Sequence, residues 1–191
     1  IGNTYYFRIY DRFGNGPSLD FTICINEATT HIDNDECATA TNLVPSSDMS
    51  CNFLTFSNVG ASQSPISGCV GDNEDDIWFS FTATSSRHQL YVSTNLHIDP
   101  VVQLFGNECG NLSSVGCFHS GNGGSSDQVA ADFLGLTPGN KYYIRVYGKA
   151  NNNSRCNIGL CLRTPPPPPA NDECVGAIEV PVNNDGNCGL T

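Results

Sequence analysis

Carboxylates and cysteines are the side chains of this sequence with chemistry to offer. "NDEC" occurs at Asn34–Cys37 and again at Asn171–Cys174, and "DNEDD" crowds acids into Asp72–Asp76. Calcium takes six to eight oxygen ligands, so two acidic loops at one end of a fold can share an ion. The candidate calcium ligands are Asp35, Asp75, Asp76 and Asp99, with Asn34 and Glu36 behind them. The same residues also read as turn caps and solvated loop charge. An EF-hand loop is absent.

The chain has 10 cysteines and no C-x-x-C pair. That usage points to disulfides in an oxidising compartment, not to zinc or a cytosolic redox motif. Cys109 and Cys117 flank the hairpin-like "GNLSSVG" and are expected to pair. Cys51 is matched with Cys69 across one strand-loop segment. Cys37 is matched with Cys161, which sit at the two ends of a unit, and Cys24–Cys37 is the rival pairing. Cys156 has no obvious mate.

No catalytic constellation accompanies them. His31, His88, His97 and His119 form neither H-E-x-x-H nor a spaced metal pair, and G-x-S-x-G is absent. Trp78, the only tryptophan, is expected to pack in the core or between sheets, the alternative being a stacking surface for a sugar. Tyr143 and Tyr147 point to one face of their strand, suited either to a glycan or neighbouring domain or to ordinary cross-strand pairing.

The elements that position these residues are short strands. "DDIWFSFTA" alternates Ile77, Phe79 and Phe81 against Trp78, Ser80 and Thr82, which is strand periodicity. "HQLYVST" (His88–Thr94), "PVVQLFG" (Pro100–Gly106), "SVGCFHS" (Ser114–Ser120), "VAADFLGL" (Val129–Leu136), "KYYIRVYG" (Lys141–Gly148) and "CNIGLCL" (Cys156–Leu162) follow. Turn residues bound each of them. "ATATNLV" (Ala38–Val44) reads as a strand or a single helical turn. About eight or nine strands with even spacing predict an all-β, disulfide-bearing sandwich of jelly-roll or Greek-key topology.

The unit repeats. "GNTYYFRIY" (Gly2–Tyr10) matches "GNKYYIRVY" (Gly139–Tyr147), and the step from each residue to its counterpart is 137 residues, as from Cys37 to Cys174. "FTICI" meets "IGLCL" at that step, and Cys51 meets Cys188, without a gap. Residues 1–25 read as the C-terminal strands of a preceding repeat, 26–33 as a linker and 34–163 as a complete sandwich. Residues 164–170 form a Pro-rich linker, and 171–191 the head of a next repeat. "TPPPPPA" favours polyproline II, a stiff spacer.

Composition limits the partners. Among 191 residues, 19 acidic side chains against 8 basic give a net charge of -11. Nucleic acid and anionic membrane need cationic partners and are excluded on that ground. No apolar run reaches the roughly 18 residues of a membrane span. The chain does not begin with Met and reads as a piece of a longer secreted or cell-surface protein.

"NDEC…A", "DDIWFSFTA", Asp99–Cys109 as D-x-V-x-x-F-x-x-x-C, and "LTPGNKYYIRVY" (Leu136–Tyr147) together resemble the Cys-containing repeats of large bacterial surface and secreted adhesin-like proteins. They are also similar to the bacterial pre-peptidase C-terminal domain. That resemblance implies a jelly-roll sandwich, extracellular and non-enzymatic, with calcium held near the first strand and near the D-x-W segment, here Asp76–Trp78. The function expected is a structural or adhesive tandem-repeat protein forming a stalk or filament, with strand complementation between units. Its partners are neighbouring repeats or subunits, or a glycan or protein ligand. The alternative is a calcium-dependent carbohydrate- or protein-binding module appended to a secreted hydrolase.

Overall fold

The computed structural model describes residues 4–10, 23, 32–95, 98–120, 127–149 and 155–180. Nine strands follow in chain order: β1 (Thr41–Asn42), β2 (Leu54–Ser57), β3 (Ile77–Thr82), β4 (His88–Thr94), β5 (Pro100–Gly106), β6 (Ser113–His119), β7 (Gln128–Phe133), β8 (Lys141–Gly148) and β9 (Asn157–Arg163). They form a five-stranded sheet of order β1-β3-β8-β5-β6 and a four-stranded sheet of order β2-β9-β4-β7. Only β1 runs parallel to its neighbour, pairing Thr41 with Phe79. The fold is an all-β sandwich, and its helical content among the described residues is two 3-10 turns, Cys37–Thr39 and Cys174–Gly176.

Alternation builds the core. Ile77, Phe79 and Phe81 of β3, Val102 and Leu104 of β5, and Ile144 and Val146 of β8 point inward. Leu90 and Val92 of β4, Ala131 and Phe133 of β7, and Ile158, Leu160 and Leu162 of β9 meet them from the other sheet. Phe81 stacks on Phe133 across the sandwich, centroids 6.1 Å apart. Burying each such side chain contributes about 1.5–3 kcal/mol.

The outward face of a sandwich sheet ordinarily meets water. The five-stranded sheet departs from that rule. β5 and β8 are buried at nearly every position, on both faces. The connection between β2 and β3 folds back over the sheet and roofs it. A second, smaller core forms under that roof from Trp78, Phe105 and Tyr143, with Ile66, Cys109 and Leu112 packed against it. Gly71 is needed for this closure: its φ is +68°, and a Cβ there would collide with the Lys149 carbonyl.

Candidate functional site

The roofed face is organised by Arg145, which projects outward from β8 and is fully buried. Its Nη1 donates to the Ile66 carbonyl (2.6 Å) and to Asp76 Oδ2 (3.3 Å). Its Nη2 donates to the Ser67 carbonyl (2.7 Å) and to Gln103 Oε1 (2.6 Å). The guanidinium carbon lies 5.5 Å from the Trp78 ring, 5.6 Å from Phe105 and 5.4 Å from Tyr147. One cation therefore ties two roof carbonyls, a carboxylate and three rings to a single strand. Arginine suits this place because its planar fork serves several acceptors while its faces stack on rings.

Burial raises the Asp76 carboxyl pKa against hydrogen bonds from Ser64 and the attraction of Arg145. Burial also lowers that of the guanidinium, opposed by Asp76. With four acceptors on it, Arg145 remains the charged partner. Tyr147 completes the clamp. Its hydroxyl donates to the Val70 carbonyl (2.9 Å) and accepts from Cys69 N–H (3.1 Å), and burial raises its pKa.

Where the roof ends, a cleft of about 660 Å³ opens onto the second core. Ile66, Trp78, Leu112 and the Cys37–Cys109 disulfide give it apolar surface; Glu36, Ser64 and Asn111 give it hydrogen-bonding groups. Ser64 is held in place, its hydroxyl accepting from Trp78 Nε1 at 2.8 Å and its N–H donating to Asp76. A groove of about 560 Å³ lies on the opposite, open sheet, lined by Phe53, Tyr91, Ser93 and Gln128. Gly159 leaves it room, since a Cβ there would sit 2.9 Å from Ser93 Oγ and 3.3 Å from the Phe53 ring. Both depressions have the mix of apolar surface and a few polar groups that ligand sites use.

The expected calcium ligands are not assembled. Asp35 accepts from Ser62 N–H (2.6 Å) and Ser62 Oγ (2.8 Å). Asp75, at φ 58°, accepts from Arg155 Nε at 3.1 Å, and Asp76 serves Ser64 and Arg145. Asp99 stands before β5, its carbonyl accepting from Lys149 N–H. Asn34 donates through Nδ2 to the Trp78 carbonyl, and Glu36 lines the cleft. Among the described residues no three His, Cys, Asp or Glu side chains converge to hold an ion. In this arrangement arginine and N–H groups already occupy carboxylate oxygens of Asp35, Asp75 and Asp76.

The outward tyrosines are not a binding face. Tyr143 is 4% exposed and Tyr147 1%. Tyr143 reaches Glu108 through its hydroxyl, and the roof covers both rings. His88 is buried, its Nε2 accepting from Thr84 and Ser85 N–H while Nδ1 meets Thr164 Oγ1. Burial pulls its pKa down. His119 meets the Ser120 carbonyl. His31 and His97 lie outside the described residues.

All six cysteines expected to bond do so, but in other pairs: Cys37–Cys109, Cys51–Cys161 and Cys69–Cys117. Hairpin register explains the first correction, since Cys117 lies opposite Gln103, away from the turn that carries Cys109. Cys109 reaches the 3-10 turn, and Cys117 reaches the roof. The other two corrections follow from the layers. Cys51 precedes β2 and Cys161 lies in β9, neighbours in the four-stranded sheet, whereas Cys37 and Cys69 belong to the five-stranded side. Cys156 is buried and free, its thiol pushed up to about 11 by burial, and Cys174 is exposed and free. Cys24 lies outside the described residues. Neither the roof nor the Arg145 clamp was expected; the signal available was β8's lone arginine amid aromatic and β-branched residues.

A solved structure of the pre-peptidase C-terminal domain of a collagenase from Bacillus anthracis aligns with 65% of this chain and 94% of that one, at 16% identity and a TM-score of 0.41. CorA, a surface-associated copper-binding protein of Methylomicrobium album BG8, aligns with 65% of this chain and 100% of its own, at 8% identity and 0.38. A mitogen from Yersinia pseudotuberculosis aligns over 59% and 86%, at 16% identity and 0.34. No curated protein matches the sequence. Three disulfides fit an extracellular or cell-surface setting. Residues 33–160 match the model of a T9SS-associated family described as galactose binding domain-like, and the chain belongs to that family.

Proposed function

We propose that the chain is a non-catalytic extracellular module of a tandem array, structural and adhesive in role, which builds a stalk or filament on a cell surface. The observation that carries this reading is the common register of its flanking segments with the sandwich. Residues 4–10 repeat β8, placing Tyr5, Tyr6, Phe7, Arg8, Ile9 and Tyr10 where Tyr142 to Tyr147 stand. In the sandwich those positions are buried between β3 and β5. In residues 4–10 the large apolar side chains are 51–94% exposed. A contiguous apolar stretch of this kind marks an interaction surface. Insertion between the β3 and β5 strands of another sandwich, by strand addition, would cover it. Electron microscopy of the natural secreted protein tests the reading. Globules at a constant pitch are expected; a single globule without periodicity overturns it.

The cleft on the second core favours a second reading, a carbohydrate-binding module. Its apolar surface suits a sugar ring, and Glu36, Ser64 and Asn111 suit hydroxyl groups. Titration calorimetry with galactose and its oligomers, on the chain and on Asn111→Ala, tests it. Measurable heat lost in the variant supports the site, and no heat with the intact chain rejects it.

A further inference from the structure

We propose that residues 171–180 dock along the β3 strand of a further sandwich of this kind and are locked there by a disulfide from Cys174 to the cysteine 72 residues beyond it. This rests on the array reading above.

Three observations carry it independently. The first is local geometry. Glu36 before the first 3-10 turn has φ -120° and ψ 153°, and Glu173 before the second has φ -104° and ψ 154°. Ala40 and Ala177 close the two turns with N–H donation to Cys37 O and Cys174 O, both at 3.2 Å. Cys174 therefore sits on the same local backbone as Cys37. The second is covalent: Cys37 is bonded to Cys109, 72 residues on. The third is burial. Leu43 is in the main core and its N–H donates to the Ser80 carbonyl of β3. Its counterpart Val180 is 80% exposed, and Val175 is 98% exposed. An apolar segment that has the turn and the cysteine but lacks the strand under which Leu43 lies is fitted to a β3 strand of the same repeat.

The same register accounts for two further cysteines by sequence. Cys24 is the counterpart of Cys161 and Cys188 that of Cys51, the pair separated by 110 residues. Neither mate falls within residues 1–191. Cys156 has Leu19 as its counterpart, so its thiol has no place in the bonding pattern. In the bonding step the Sγ of Cys174 and that of its mate lose two protons and two electrons. A protein disulfide of the secretory route accepts them and is left as a dithiol.

The test is a non-reducing peptide map of the full-length secreted protein, alkylated before digestion. The expected result is a crosslinked pair joining the Asn171–Cys174 peptide to one centred 72 residues downstream. Cys156 should be the free thiol of the sandwich. Cys174→Ser should expose one additional thiol, at that downstream cysteine. Four results overturn the proposal: Cys174 recovered alkylated, joined to Cys24, joined to Cys156, or joined to Cys174 of a second copy. The chain's continuation separates the two levels. If a counterpart unit follows Thr191 and its cysteine does not bond Cys174, the pairing fails and the array stands. If no such unit follows, both fail.

Discussion

Residues 4–10 and strand β8 have nearly the same side chains and opposite environments. "TYYFRIY" and "KYYIRVY" keep two tyrosines, an arginine and a terminal tyrosine in place. In β8, Arg145 meets four acceptors and three rings inside the fold. In the N-terminal copy, Arg8 rests over the Tyr10 ring at 5.5 Å, a cation–π contact in solvent. The lesson is that the cation and the aromatics of this pattern are not self-sufficient. They become a clamp when β3, β5 and the roof bring Asp76, Gln103 and two carbonyls from distant parts of the chain.

The largest expected effect separates the two arginines. Arg145→Met should destabilise the sandwich by about 3–5 kcal/mol, because it leaves a buried carboxylate without its cation. Arg8→Met should lie within about 0.5 kcal/mol of the parent. Urea unfolding measures both, and equal losses would end the distinction. Next come the tyrosines. Tyr147→Phe removes an acceptor and a donor from the roof and should cost about 1–3 kcal/mol, whereas Tyr10→Phe should cost nothing measurable in the same assay.

Acid should act on the sandwich and leave residues 4–10 unaffected, since they contain no histidine. Burial holds His88 below its ordinary value of 6.5. Above 6.5 both folded and unfolded chains carry it neutral. As pH falls through that value the unfolded chain takes up a proton that the folded one resists, so stability declines toward the depressed folded value. Melting from pH 8 to pH 5 should show the decline, and His88→Gln should flatten it; an unchanged slope refutes the role of His88. The smallest effect is expected from chelation. With Arg155 and Arg145 on the acids, EDTA should leave the melting temperature unchanged, and a fall would restore calcium to the site.

Much of the sandwich is legible from local pattern. β4, β5 and β8 have the bounds read from the sequence: β4 alternates with period two, β5 and β8 are short apolar runs, and turn residues close each of them. "ATATNLV" was ambiguous between strand and turn because it contains both, a 3-10 turn followed by β1. β2 is legible only as part of the strand-loop segment between Cys51 and Cys69, without bounds, since "LTFS" is four residues long and mostly exposed. The candidate site was harder. The roof follows no period, and its bonds to Arg145 and Tyr147 join residues 77–79 apart in sequence. A carboxylate in a loop looks the same whether it awaits an ion or an arginine; what decides it is a strand elsewhere. Cysteine pairing failed likewise, because it depends on which sheet each segment joins.

The Cys51–Cys161 bond sets how far one unit can be drawn out. Pulled from its two ends, a fully unfolded sandwich without crosslinks would extend by some 130 residues, roughly 440 Å at about 3.4 Å each. With the bond in place, the tension passes from the first residues of the unit to Cys51 and crosses directly to Cys161 in β9. Only about 19 residues of backbone remain in the load path, roughly 65 Å. The rest of the domain hangs as a slack loop that force never reaches, so a unit torn open in flow would lose its fold and keep close to its length.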